Sequence, residues 1–328
     1  QIKGLTTTQI AGLEASDVAK FGTTQISALT LAQVGALTTT GIADLVTTQV
    51  QAFATTQLNA LSTTNLNALT STQMAALTTL QVSGLSTTQA GALSATNIQS
   101  LTTTQAGALT VAQLGRLSSE ALIAFDTTQF AALSATQVRA LTTTQLGNLE
   151  AADIAEFTTT QIAGLATTQV RGLTDTAVAA LAATQIAALT TAQVQSLTTT
   201  ALVGFVDTQI AALTTTQIAN LITTQVAAFD TTNVAALAAT QVAALTAGQM
   251  AALGSTNFAQ FDGTQVAALT TTQMRALTTT QIANIDPAQV SSFTTTQLTQ
   301  LNGTQLKALS TSNLSSFDTT QMASLTAS

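Results

Sequence analysis

Leu213-Thr214-Thr215-Thr216-Gln217-Ile218-Ala219-Asn220, followed at once by Leu221, is one eight-residue word that the chain writes over and over. With Leu as position one, that position falls at Leu5, Leu13, Phe21, Leu29 and onward to Leu325, 41 times, and is always Leu, Phe or Ile. Gln holds position five in 30 of the 41 octads, and Thr holds position four in 30 of them. The 328 residues amount to 41 octads with nothing left over. So strict a short period implies a solenoid, in which each unit contacts mainly its neighbours.

The large apolar residues sit at positions one and six, so their gaps alternate five, three, five, three. Both gaps are odd, which would put successive large residues on opposite faces of a single strand. A continuous helix also fails, because eight residues at about 100° each leave the apolar stripe precessing by roughly 80° per octad. One short helix per octad, over positions three to eight, satisfies the pattern. Position two then serves as the N-cap, where Thr and Ser are joined by Asp126, Asp230, Asp262, Asp286, Asn302 and Asp318. Side-chain oxygens there accept from an unpaired N–H of the first turn. Gln three residues later completes the spacing of a capping box. The sole proline, Pro287, follows Asp286 and so falls at the first helical position, where a missing N–H costs little.

The expected fold is therefore all-α: a solenoid of short helices, one per octad, wound into an elongated superhelix and continuous from residue 1 to 328. Ala at positions seven and eight permits close approach of coils. Arg139, Arg171, Arg275 and Lys307, all at position seven, mark that position as facing solvent. The alternative is a β-solenoid, since Thr, Val and Ile favour strands. It would need Gly, Asn or Asp at recurrent corners, and the 17 Gly keep no single position. A longer period overlies the octad. Phe21, Phe125 and Phe229 share a 104-residue interval with Phe53, Phe157 and Phe261, and with Arg171 and Arg275. It records a duplicated block of 13 octads, or a block that fills a whole number of coils.

Composition excludes several functions. Charged residues are 6 % of the chain and the net charge is −7, with seven scattered Lys and Arg. Nucleic acid is not an expected partner, because it needs clustered cations to displace counterions. Cys and His are absent, so thiol chemistry and the usual general base are missing. No apolar run approaches the ~18 residues of a membrane span. The chain opens at Gln1 without Met or a leader, which reads as a mature or excised segment. No catalytic, cofactor-binding or metal residues are expected, and the chain reads as not an enzyme. The weak metal candidate is Glu150, Asp153 and Glu156, at positions two, five and eight. Ca²⁺ wants six to eight oxygens, whereas acids at a helix N-terminus equally suit its dipole. Glu14, Asp17 and Lys20 hold the same three slots, the last of them a cation. The Gln row reads either as a ladder between coils or as a third-position cap.

The runs Leu189-Thr190-Thr191-Ala192-Gln193-Val194 and Leu213-Thr214-Thr215-Thr216-Gln217-Ile218 resemble the Thr/Gln/Ala-rich octapeptide arrays of very large bacterial surface and secreted proteins. The resemblance spans the chain and implies an extracellular or cell-surface fibre, stalk or adhesin, with the cell surface or glycans as partners. It carries over no functional residues. Self-assembly is expected as well: Ser328 occupies position four and Gln1 position five, so one copy's end continues another's start in register. The alternative use of the Thr rows is binding to ice or another surface. A peptide- or glycan-binding groove would want exposed aromatics. Nine of the 11 Phe hold core position one, and Phe130 and Phe258 hold position six.

Overall fold

The computed structural model describes residues 1–325. Among them, a single 3₁₀ turn, Ile2–Gly4, is followed by forty α-helices of four to six residues, with no strand. The helical reading of the octad holds and the β-solenoid does not. The chain divides into two compact units, Gln1–Leu165 and Ala166–Ser328.

The octad Leu141–Asn148 shows how the local fold arises. Thr142 is extended (φ −72°, ψ 158°), and its side chain receives the Gln145 N–H at 3.1 Å. Gln145 Oε1 in turn accepts the Thr142 N–H at 2.8 Å. Thr143–Gly147 then forms little more than one turn of helix. Asn148 is still helical (φ −93°, ψ −9°), and the chain is extended by Glu150 (φ −70°, ψ 160°), which ends the helix. Leu149 closes the turn by donating its N–H to the Leu146 carbonyl at 3.2 Å. The same device joins helices in the second unit, where Leu213 (φ −60°, ψ 126°) and Thr214 (φ −68°, ψ 155°) form the connection. Among the described residues none has positive φ. A corner made of two extended residues needs no glycine, which is why glycine keeps no fixed place in the octad.

Three or so octads complete a coil. In the first unit Ala135–Arg139 packs on Thr159–Gly164, and Thr103–Ala108 on Thr127–Ala132. In the second, Thr223–Ala228 packs on Ala247–Ala252. Each pairing skips two intervening helices. Positions one and six face inward: Ile218 and Val226 are fully buried, with Leu213 and Leu221 nearly so. In the first unit Phe130 lies between Phe125 and Phe157, its ring centroid 5.5 Å from each. Positions seven and eight set the coil spacing. A Cβ added at Gly107 would lie 3.0 Å from the Ala132 carbonyl oxygen, and one at Gly91 2.8 Å from that of Arg116. Small residues there let backbone meet backbone. Arg139, Arg171, Arg275 and Lys307 are exposed at position seven, as expected.

Candidate functional site

The chemistry that repeats most faithfully is the amide at position five. Sequence leaves two roles open for it, cap or ladder, and side chains such as Gln145 and Gln217 perform both. Its oxygen accepts the N-cap N–H of its own helix, while its NH₂ donates to carbonyls of the coil before. Gln217 receives the Thr214 N–H at 2.7 Å and donates to Ile186 and Leu189 oxygens at 3.0 and 2.6 Å. In the first unit Gln145 donates to Leu114 and Leu117 oxygens at 2.9 and 2.8 Å. The separations are 31 and 28 residues each time. These amides are buried: Gln145 is 5 % exposed and Gln217 3 %. Burying an amide is costly unless its donors and acceptors are met, and here both ends are engaged. No buried side-chain N or O among the described residues lacks a partner.

The two capping devices back each other up. Where position two is apolar, Gln stays: Ala54, Val206, Ile222 and Ala238 donate their N–H to Gln57, Gln209, Gln225 and Gln241 at 2.8, 3.0, 3.1 and 2.7 Å. Where position five is Gly41, Ala121, Ala177 or Ala201, position two is Thr38, Ser118, Thr174 or Thr198. Their hydroxyls receive the position-five N–H at 3.1, 3.1, 3.1 and 3.0 Å. A helix this short has little intrinsic stability, and each of these octads keeps one of the two caps.

A second, outer set of rungs was not apparent from the sequence. Asn59 Nδ2 donates to the Gly84 carbonyl at 2.8 Å, and its Oδ1 accepts the Ser86 N–H at 2.9 Å. Asn67 repeats the pattern with Ala92 and Ser94 at 2.6 and 3.0 Å. Polar residues at position seven thus tie coils together as well as meeting solvent. The signal lies in the amides at that position, whereas the sequence reading of position seven as at least partly solvent-facing rests on its cations.

The acidic trio is not brought together. Asp153 Oδ2 accepts the Glu150 N–H at 2.8 Å, as a position-five amide would. Glu156 instead accepts the Thr127 hydroxyl from the preceding coil. No three such ligands converge among the described residues. Burial is the largest influence on Asp153 and raises its pKa; the Glu150 N–H lowers it and the Glu150 charge raises it. Asp126 moves the other way, lowered chiefly by the Thr128 hydroxyl and then by the Gln129 N–H. Lys20 and Asp17, at the corresponding slots near the start, pair at 3.0 Å.

Two of the surface depressions are alike. One of about 370 Å³ is lined by Thr167, Thr168, Arg171, Ser196 and Ile222 in the second unit. Another, of about 140 Å³, is lined by Ala135, Thr136, Arg139 and Gly164 in the first. Each holds one arginine among hydroxyls and apolar groups. No helix among the described residues is long and apolar enough to cross a membrane.

The family profile described as the ALTTAQ repeat matches the chain in four stretches, residues 10–47, 42–87, 154–191 and 186–223. These tandem matches fall within both units and agree with a repeat protein. No curated protein matches the chain significantly.

Proposed function

We propose that the chain is a structural element, a subunit or stalk segment of an extracellular fibre, joined to like segments head to tail. The observation that carries this reading is the uniform stitch between coils. Most coil edges offer the same carbonyls, and most following edges the same position-five amides, so stacking has no built-in stop. Gln9 and Gln25 stand exposed, whereas Gln33 is buried and donates to Ile2 and Leu5 oxygens at 2.9 and 2.8 Å. Amides like these accept a preceding coil equally well from the same chain or from another copy. A heterologous contact of this kind does not close, and it grows into an open fibre. The register of a join between copies rests partly on Thr326, Ala327 and Ser328, which lie outside the described residues. Work by cohesion rather than catalysis is supported by the open surface depressions and by acids of which no three converge among the described residues.

Electron microscopy and sedimentation of the purified chain test assembly. Filaments that lengthen with concentration are expected. A chain that stays monomeric across salt and pH overturns assembly. A second reading, binding to ice or another ordered surface, rests on the exposed rows of hydroxyls such as Thr214, Thr215 and Thr216. Thermal hysteresis in a nanolitre osmometer is its signature, and freezing without hysteresis discards it.

A further inference from the structure

The pair Asp286-Pro287 is left unexplained by the ladder. The other Asp N-caps, Asp126, Asp230, Asp262 and Asp318, run on into Thr127, Thr231, Gly263 and Thr319. The local fold is shared: Asp286 is extended (φ −87°, ψ 163°), and its Oδ1 accepts the Gln289 N–H at 2.7 Å. Its own N–H donates to Gln289 Oε1 at 3.1 Å. What differs is the bond that follows. An aspartyl carboxyl is placed to attack the carbonyl carbon of its own residue, closing a five-membered ring, and the step succeeds when the amide nitrogen leaves easily. The proline nitrogen belongs to a tertiary amide without N–H, and it takes up a proton more readily than an ordinary peptide nitrogen. Asp286, Pro287 and Ala288 are all exposed, so acid and water reach this corner between two helices.

We propose that Asp286–Pro287 is an acid-operated self-cleavage site whose two products stay docked through the coil ladder. In acid a proton goes to the Pro287 nitrogen. A carboxyl oxygen of Asp286 bonds to its own carbonyl carbon, and the carbon–nitrogen bond breaks with its electron pair going to Pro287. Water then opens the cyclic anhydride, which leaves a new α-carboxyl on Asp286 and a secondary amine on Pro287. One water is consumed and nothing is oxidised or reduced. The octads packed against Pro287–Ser291, those of Gly263–Ala267 and Thr311–Ser315, add one charged residue, Asp262, and no cation to oppose the proton. The cut leaves the coil contacts in place. Across it Gln289 donates to Phe258 and Phe261 oxygens at 3.2 and 2.8 Å, and Gln297 to those of Val266 and Leu269 at 2.9 and 2.8 Å. Gln305 donates to Met274 and Leu277 oxygens at 3.0 and 2.8 Å, and Asn313 to that of Ile285 at 3.1 Å. Val290, Phe293 and Leu298 are buried beside these rungs.

Intact mass spectrometry of the full-length chain, carrying an N-terminal affinity tag and held for days at pH 3 or pH 7, tests the cut. D286N and P287A run beside the wild type. Asn keeps the cap, as Asn302 does by accepting the Gln305 N–H at 2.9 Å. The expected result is fragments 1–286 and 287–328 from the wild type at pH 3, and loss of both at pH 7 and in either variant. A wild type that stays intact at pH 3 overturns the site. Cutting at the same rate after Asp126, Asp230 or Asp318 removes the role of Pro287, and cutting that persists in D286N removes the carboxyl as nucleophile; each overturns the proposal. After return to pH 7, fragment 287–328 should stay on the affinity resin with tagged 1–286 and leave only in guanidinium. Its appearance in the neutral wash overturns the docking.

Discussion

Replacing Gln241 by Ala isolates what one rung contributes. Its octad has Ala238 at the N-cap, so the Gln side chain is the only one of the two caps present. Gln241 is 2 % exposed; it accepts the Ala238 N–H at 2.7 Å and donates to Ile210 and Leu213 oxygens at 2.8 and 2.6 Å. Its three short hydrogen bonds, at a net ~1 kcal/mol each, suggest a loss of about 2–4 kcal/mol, with backbone groups left unpaired pushing toward the upper end. Urea unfolding followed by far-UV circular dichroism measures it. Two further variants separate hydrogen bonding from bulk. Gln241→Asn keeps the amide but shortens its reach, so its loss lies between zero and that of Ala. Gln241→Glu is nearly isosteric yet turns the donor end into a carboxylate facing two carbonyls. It loses more than Asn at pH 7 and recovers on acidification. If Ala, Asn and Glu all cost the same, or each costs under about 0.5 kcal/mol, the side chain fills space and the ladder argument fails.

Gly91→Ala places a Cβ 2.8 Å from the Arg116 carbonyl oxygen, so the coils must part; a loss of about 1–3 kcal/mol is expected in the same unfolding assay. Phe130→Ala empties a fully buried site flanked by Phe125 and Phe157, and about 3–5 kcal/mol should be lost, again by urea titration. Asp126→Ala removes an N-cap that receives the Gln129 N–H at 2.8 Å and should cost about 1 kcal/mol at neutral pH. Because the Asp126 pKa is lowered, its contribution is present above the ordinary 3.8 and is lost as pH falls through the folded value. The gap between wild type and variant should narrow in acid.

What the sequence discloses is whatever depends on residues three or four apart. The Thr142–Gln145 cap, the place of Pro287 at the start of its helix, and the burial of Leu213 and Ile218 all follow from spacing inside one octad. Partners 25 to 31 residues away depend on the angle at which one helix follows the next. That angle is set by the extended pair at positions one and two, and small changes in it accumulate around a coil. The carbonyls that receive Gln145, and the tie from Asn59 to Gly84, were therefore out of reach. The acidic trio shows the same limit. Slots two, five and eight recur every three residues, yet slot five points between coils and Glu156 at slot eight meets Thr127 of another coil.

The stitch from position five to the coil before it is open to measurement by NMR on the side-chain amide of Gln217, identified by its disappearance in Gln217→Ala. Nuclear Overhauser contacts from its NH₂ protons to Leu189 and Ile186, together with slow exchange against solvent, are the expected result. An amide in rapid exchange with water, or one in contact with residues 24 or 32 positions back in place of 28 and 31, would contradict both the ladder and the coil it defines.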